Sequence, residues 1–343
     1  MYRFVVGTGR CGSTLLSRML GCHPSVLSFS EFFSTLDRAA VFAAGEFDGM
    51  QLAEFLARTN LLNDLVTARE WCYAEGATHK YGREVPEAAK RGTNVPALQI
   101  ALAQFVADPA PLYDELIAYL RTLPRQGLKD HYIQLFDWLT QRLGKQVWIE
   151  RSGVSIEFLG QLREWYPQAR FLHIHRDGPT TALSIRAFRH FVLYASFFFD
   201  PPTAEEMAQA VRGPIDPATD PIVRRMTKDV PSVADFGHYW SWQIACGYRD
   251  AIGLGPDQFL EIRYEDLMGR THETLRQIAA FFELPADADW IDLAAQQVDP
   301  EIAGGKMSDL SATEQRELEL ACLAGQVLLR RVPNNPFEEA MST

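Results

Sequence analysis

A chain of 343 residues with 47% hydrophobic and 22% charged residues has material for an ample core, in one large α/β domain or two smaller ones. Its net charge of −11 excludes nucleic acid and anionic membranes as natural partners. Cys11, Cys22, Cys72, Cys246 and Cys322 are odd in number and lack C-x-x-C spacing, which excludes a disulfide framework and a zinc site. No leader-like segment precedes the first strand, and the longest apolar stretch, Phe191 to Phe199, is too short to span a bilayer. A cytoplasmic protein with no membrane partner is expected.

Arg3 to Val6 reads as a buried strand, followed by a glycine turn and a helix from Ser13 to Leu20. A strand-turn-helix of this kind aims free backbone N–H groups and a helix dipole at one point, which attracts phosphate or sulfate. The turn carries three overlapping patterns. Gly7-x-Gly9-x-x-Gly12 is a dinucleotide fingerprint; Gly7-x-x-x-x-Gly12-Ser13-Thr14 is a Walker-type loop with Ser13 where lysine belongs; Arg10-Cys11-Gly12-Ser13-Thr14-Leu15 sets one cation ahead of the turn. Residues 1–30 contain Arg3, Arg10 and Arg18 and no acid, so an electropositive pocket is expected within an acidic protein.

The next strand, Val26 to Phe29, leads to Glu31, about 20 positions beyond the glycines, where a dinucleotide site needs an acid for the ribose. The nucleoside-triphosphate reading lacks its lysine and a magnesium-binding aspartate. Residues 32–146 interrupt the alternation with helix formers and aromatics, including a helix from Ile133 to Leu143. Val147 to Glu150 is a third strand ending at Arg151 in "WIERSG", with a salt bridge to Glu150 or Glu157 as the plain reading of that arginine. A helix from Ile156 to Trp165 follows.

The fourth strand, Arg170 to His175, opens into Arg176-Asp177-Gly178-Pro179 and a helix capped by Thr180 or Thr181. Arg176 and Ser184 suit one anion, the guanidinium supplying charge and forked donors and the hydroxyl a further one; a salt bridge of Arg176 with Asp177 is the plain alternative. His173 and His175 share a face but lack a third ligand, so no metal is expected. A second interruption, 187–255, begins with "FRHFVLYASFFFDPP" and ends in a helix from Ser232 to Asp250. Core packing is the plain reading of Phe197-Phe198-Phe199, Trp240 and Trp242, an apolar acceptor pocket or lid the other reading of the phenylalanines. The last strand is Phe259 to Arg263, followed by a helix from Leu275 to Phe282. The alternation predicts one domain over 1–343: a P-loop-like parallel sheet of about five strands flanked by helices, with two helical insertions over its carboxyl edge.

Two of these motifs, taken in order, resemble the PAPS-dependent sulfotransferases, whose donor is 3′-phosphoadenosine 5′-phosphosulfate. The family's 5′-phosphosulfate loop is matched by Arg10-Cys11-Gly12-Ser13-Thr14-Leu15, and its 3′-phosphate element by Arg176-Asp177 with Ser184. "IRYEDL", residues 262–267, is a third echo, and the resemblance spans roughly residues 3–285. The loop arginine and early glutamate are closest in style to the tyrosylprotein and bacterial carbohydrate or small-molecule branches. There a glutamate is the general base, a place Glu31 occupies. Arg151 stands where related enzymes put a basic residue near the transferring group. The C-terminal glycine-rich basic motif is only faintly echoed by "AGGKMSDLS", with Lys306 as its contributor.

The resemblance implies sulfuryl transfer from PAPS, without a metal, to a hydroxyl or less favourably an amine of a small-molecule or carbohydrate acceptor, leaving PAP. Arg10 would stabilise the leaving oxygen and Glu31 take the acceptor proton. An NAD(P)-dependent oxidoreductase using Gly7, Gly9, Gly12 and Glu31 is the competing enzyme class, and a non-catalytic nucleotide-binding module the competing binding reading. The oxidoreductase leaves Arg176 and Ser184 unexplained and lacks a Tyr-x-x-x-Lys pair. Acceptor identity and oligomeric state are not encoded in any motif.

Overall fold

The computed structural model describes residues 1–58, 60–67, 97–213, 216, 218–298 and 307–330. Alternation of β-branched and aromatic residues produces the expected sheet. Its strands are β1 (Arg3–Val6), β2 (Val26–Ser30), β5 (Val147–Arg151), β6 (Arg170–His175) and β7 (Phe259–Arg263). A separate antiparallel ribbon pairs β3 (Glu46–Phe47) with β4 (Gln126–Gly127), both between β2 and β5 in the chain. The main sheet has the order β2-β5-β1-β6-β7 and is parallel throughout.

Register follows the two-residue period. Phe4 pairs with Glu150 and Phe171, while Val5 pairs with Arg151 and Leu172. Phe4, Phe29, Trp148 and Phe171 therefore face one core, with Tyr132 and Phe136 of the Leu128–Arg142 helix. Val5, Val26, Ile149 and Leu172 face the opposite core, with Leu16 of the Ser13–Gly21 helix and Ile278 of the Thr271–Phe282 helix. Both faces of β1 are covered, which is why all four of its residues are buried.

Local boundaries differ from the sequence expectation where caps decide them. The Leu128–Arg142 helix starts five residues before Ile133. The segment after β5 splits into a 3₁₀ turn, Ser155–Phe158, and a helix, Leu159–Trp165. Asp177, rather than Thr180 or Thr181, caps the Gly178–Arg186 helix: its carboxylate accepts the Thr180 N–H at 3.0 Å and the Thr180 hydroxyl at 2.8 Å. The Val233–Ala251 helix begins at a reciprocal capping box between Ser232 and Asp235.

The chain leaves β1 for β2 on one side, while β5 and β6 flank β1 on its two sides. The order thus reverses direction at β1, and the crevice of an open α/β sheet lies at the carboxyl ends of these strands.

Candidate active site

The turn after β1 is shaped by two left-handed residues, Arg10 at φ 62° and Gly12 at φ 95°. Such a sequence of conformations curls backbone N–H groups toward a common centre. Gly12 is also the N-cap of the Ser13–Gly21 helix and provides no side-chain cap, so the first-turn amides keep their donors for another acceptor. A Cβ on Gly12 would stand 2.2 Å from Tyr264 Cδ2, so glycine is required by space as well as by φ. Cys11 turns inward: its thiol is fully buried, donates to Thr8 O at 2.9 Å, and has its pKa raised by that burial. Ser13 and Leu15 are buried, and Thr14 is half-buried.

The structure brings the two separate anion motifs into contact. Arg10 Nε donates to Ser184 Oγ at 3.1 Å, across 174 residues of sequence. The Arg10 guanidinium is pushed below its usual pKa, first by loss of solvent and then by the nearby charge of Arg176. Two guanidinium groups that repel one another across a concave turn favour an anion between them. Arg176 lies over the Tyr264 ring at 4.7 Å rather than pairing with Asp177. Among the described residues neither Arg10 nor Arg176 has a carboxylate partner. Tyr264 thus touches both motifs, and its neighbour Glu265 accepts the Asp177 N–H at 3.0 Å. The "IRYEDL" segment has a physical role that its sequence position hinted at: it joins the carboxyl end of β7 to the Tyr264–Gly269 helix.

Glu31 is placed at the same edge but is not the exposed helix-start residue its sequence context permits. It is 2% exposed, sits at φ 66°, and its backbone N–H donates to Arg151 O at 2.7 Å. Its Oε1 accepts Arg151 Nη1 at 2.5 Å; its Oε2 accepts Gly153 N–H at 3.0 Å and the Ser34 hydroxyl. Arg151 therefore pairs with Glu31, not with Glu150 or Glu157, and its buried Nε has no partner among the described residues. Ser34, Ser152 and Gly153, which the sequence reading passed over, hold this arrangement: Ser152 Oγ accepts Phe33 N–H at 2.9 Å and donates to Glu150 Oε1. Burial pushes the Glu150 carboxyl up to about 8, against the lowering influence of Ser152 and Arg151.

Other candidates fall elsewhere. His23 is buried at the amino edge, with Nδ1 accepting Ser25 N–H at 3.1 Å and Nε2 near Pro285 O at 3.1 Å. His173 Nδ1 lies 3.3 Å from Glu261 Oε1, which also accepts the Tyr248 hydroxyl at 2.6 Å. Among the described residues no group of three metal-ligating side chains forms, and no helix is long and apolar enough to cross a membrane. Trp240 is fully buried, as packing requires, whereas Phe198, Phe199 and Trp242 are exposed and correct the core reading of those three. Lys306 and Cys72 lie outside the described residues.

Residues 4–289 match the family model described as the sulfotransferase family. Comparison with curated proteins finds no match. Among solved structures, the chain is similar to the sulfotransferase domain from the curacin biosynthetic pathway, at 13% identity over 96% of this chain and 98% of that one, with a TM-score of 0.47. It is also similar to sulfotransferase STF1 from Mycobacterium tuberculosis H37Rv (17% identity, 94% and 76% covered, TM-score 0.44). A sulfotransferase from Alicyclobacillus acidocaldarius shows 15% identity over 97% and 98% of the two chains, with a TM-score of 0.40.

Proposed function

Because the chain belongs to the sulfotransferase family, we propose that it transfers a sulfuryl group from PAPS to a hydroxyl group of an acceptor, with Glu31 as general base. The observation that carries the reading is the Arg10–Ser184 contact at 3.1 Å, which joins a strand-turn-helix anion loop to a second cationic element. One anion loop alone suits many nucleotides. Two, held together, suit a 3′,5′-bisphosphate.

The residues present fit such a donor by their chemistry. Arg10 and Arg176 lack carboxylate partners among the described residues, Arg151 Nε is buried without a partner, and the helix after Gly12 has no side-chain cap. Every one of these is a hydrogen-bond donor, and the three arginines are cations; none is an acceptor that an anion would meet unfavourably. When bound, the donor supplies an SO₃ group on a phosphate leaving group. The amides of Gly12, Ser13 and Thr14 cradle the phosphosulfate, Arg10 neutralises charge on the bridging oxygen, and Arg176 with Ser184 holds the 3′-phosphate. Arg151 orients Glu31 through Nη1.

Glu31 accepts the acceptor's hydroxyl proton as the acceptor oxygen bonds to sulfur. The sulfur–oxygen bond to the phosphate breaks, and its electron pair leaves with PAP. Arg151, Gly153 and Ser34 fix the carboxylate's direction. Each step balances without a metal.

A thermal-shift comparison of PAP, NADH and ATP tests the assignment. At about a hundred times its dissociation constant a ligand adds about 2.7 kcal/mol of stability. PAP is expected to stabilise the protein and NADH to leave it unchanged; a larger shift with NADH returns the loop to the dinucleotide reading.

A further inference from the structure

Glu150 is a fully buried acid that the transfer step does not use. It shares the Trp148 face of β5, and its register partners are Phe4 on one side and Phe29 on the other. A carboxyl among phenylalanines costs stability, so its retention calls for a specific contact. Its Oε1 accepts the Ser152 hydroxyl proton, while Oε2 has no partner among the described residues.

The direction of that bond is forced. Ser152 Oγ accepts Phe33 N–H at 2.9 Å and Ser34 N–H at 3.3 Å, which occupies both of its lone pairs. Its single proton is left for Glu150. Glu150 therefore fixes the hydroxyl rotor with both lone pairs toward the two amides.

Those amides lie in the first turn of the Phe32–Thr35 helix, whose N-cap residue is Glu31. An acidic N-cap residue ordinarily takes such amides with its own carboxylate, from an extended backbone. Glu31 does neither: it makes no side-chain cap, and its φ is 66°. Its carboxylate is turned instead to Arg151, Gly153 and the Ser34 hydroxyl. A strained backbone of this kind persists only where its surroundings over-determine it.

Resting on the sulfuryl-transfer reading, we propose that Ser152 and Glu150 are positioning residues for the base: Ser152, oriented by Glu150, caps the Phe32–Thr35 helix in place of Glu31 and so keeps the Glu31 carboxylate turned to Arg151 and the transfer site. The substitute cap comes from 119 residues along the chain. Packing alone would be served by an apolar pair at 150 and 152, with no acid to bury.

The test uses the full chain, PAP, and labelled PAPS with water as the acceptor. Glu150→Met with Ser152→Ala removes both partners and leaves neither orphaned, so the fold should survive. In a crystal structure of this double variant with PAP, Glu31 should relax to an extended φ and accept the Phe33 or Ser34 N–H, leaving Arg151. Single-turnover loss of PAPS should fall about 10- to 100-fold, the effect of a misplaced catalytic group, with the PAP-induced thermal shift little changed. Adding Glu31→Gln should then cost less than about threefold more, because the base is already withdrawn. Glu150→Gln retains the acceptor for Ser152 and should recover most of the rate that Glu150→Met loses.

The proposal is overturned if Glu31 in the double variant stays at positive φ and paired with Arg151. A full further loss on adding Glu31→Gln overturns it too, as does Glu150→Gln behaving no better than Glu150→Met. If water reacts too slowly to follow, the position of Glu31 in the crystal decides. The underlying reading fails differently: the unaltered protein shows no PAP-induced shift, or Glu31→Gln alone leaves PAPS turnover unchanged, whichever way Glu31 turns in the double variant.

Discussion

At the amino edge of the sheet, cations are stitched to the fold. Arg3 Nε donates to Phe282 O at 2.7 Å, Arg170 donates to the Phe281 carbonyl and to Glu283 Oε1 at 2.6 Å, and Lys145 Nζ reaches Pro24 O at 3.0 Å. At the carboxyl edge, Arg10 and Arg176 repel one another and Arg151 keeps a buried Nε without a partner among the described residues. Backbone strain divides the same way. Arg10, Glu31 and Val154, with φ of 62°, 66° and 56°, follow β1, β2 and β5 respectively, and a β-branched residue at positive φ is a true outlier. Glu283 and Arg330, the other two among the described residues, merely close helices. One edge uses charge to hold structure; the other holds strained backbone and unspent charge in place for a ligand.

The strongest way to break that contrast is Glu31→Gln. The amide keeps size and polarity but cannot take a proton, so the single-turnover sulfuryl transfer should fall about 10²–10⁴-fold while PAP affinity survives. Loss of affinity with an intact chemical step would make Glu31 a nucleotide ligand. If neither changes, its pairing with Arg151 is only structural. Next in size is Arg176→Ala. Removing one charge-assisted contact costs roughly 1.5–3 kcal/mol, so PAP should bind about ten- to a hundredfold more weakly in calorimetry. An unchanged affinity would reduce Arg176 to a partner of the Tyr264 ring.

Much of the carboxyl edge was legible because its signals are local. Val26–Ser30 and Arg170–His175 alternate in period two, and Gly12 announces a left-handed turn. Arg176-Asp177 and Ser184 share one short turn-and-helix. What sequence could not reveal depends on contacts over long separations. Tyr264 meets Gly12 only because β7 lies two strands from β1, and Glu31 is buried only because Arg151, 120 residues away, supplies its partner. The aromatic run at 197–199 misled for a related reason. Phe198 shares the face of buried Phe191 but lies at the outer end of the helix, where less of the protein covers it.

Glu150 sharpens the contrast through pH. Its carboxyl is fully buried, has Oε2 without a partner among the described residues, and is pushed up to about 8 from 4.5, chiefly by burial. The folded value lies above the unfolded one, so this group's contribution to stability is present below about 4.5 and is lost as pH rises through about 8. Glu150→Gln keeps the acceptor for Ser152 but cannot ionise. Thermal melts between pH 5 and 9 should show a shallower decline for the variant and a higher melting temperature near pH 8, with the PAP-induced shift little changed. Parallel curves for the two proteins would mean that this edge does not hold a neutral acid.

The smallest effect is expected at the amino edge, from Arg170→Met. Methionine retains an apolar stem that can lie along Phe281, whose ring is 5.8 Å from the arginine's guanidinium carbon. It loses the donor to the Phe281 carbonyl and the pair with Glu283. The glutamate side chain is 58% exposed, so water screens much of that pair. Together these losses should lower stability by about 1 kcal/mol, a melting shift of about 2 °C for a chain of this size. PAP should bind as it does to the unaltered protein, because β6 separates Arg170 from Arg176 by its whole length and the lost contacts all lie on the Thr271–Phe282 helix and the residue after it. The informative quantity is the ratio of the two arginine variants. Arg176→Ala should weaken PAP much and stability little, and Arg170→Met the reverse. If both variants weakened PAP to the same degree, the two edges would be coupled through β6, and the unspent charge at the carboxyl edge would no longer be a property of the site alone.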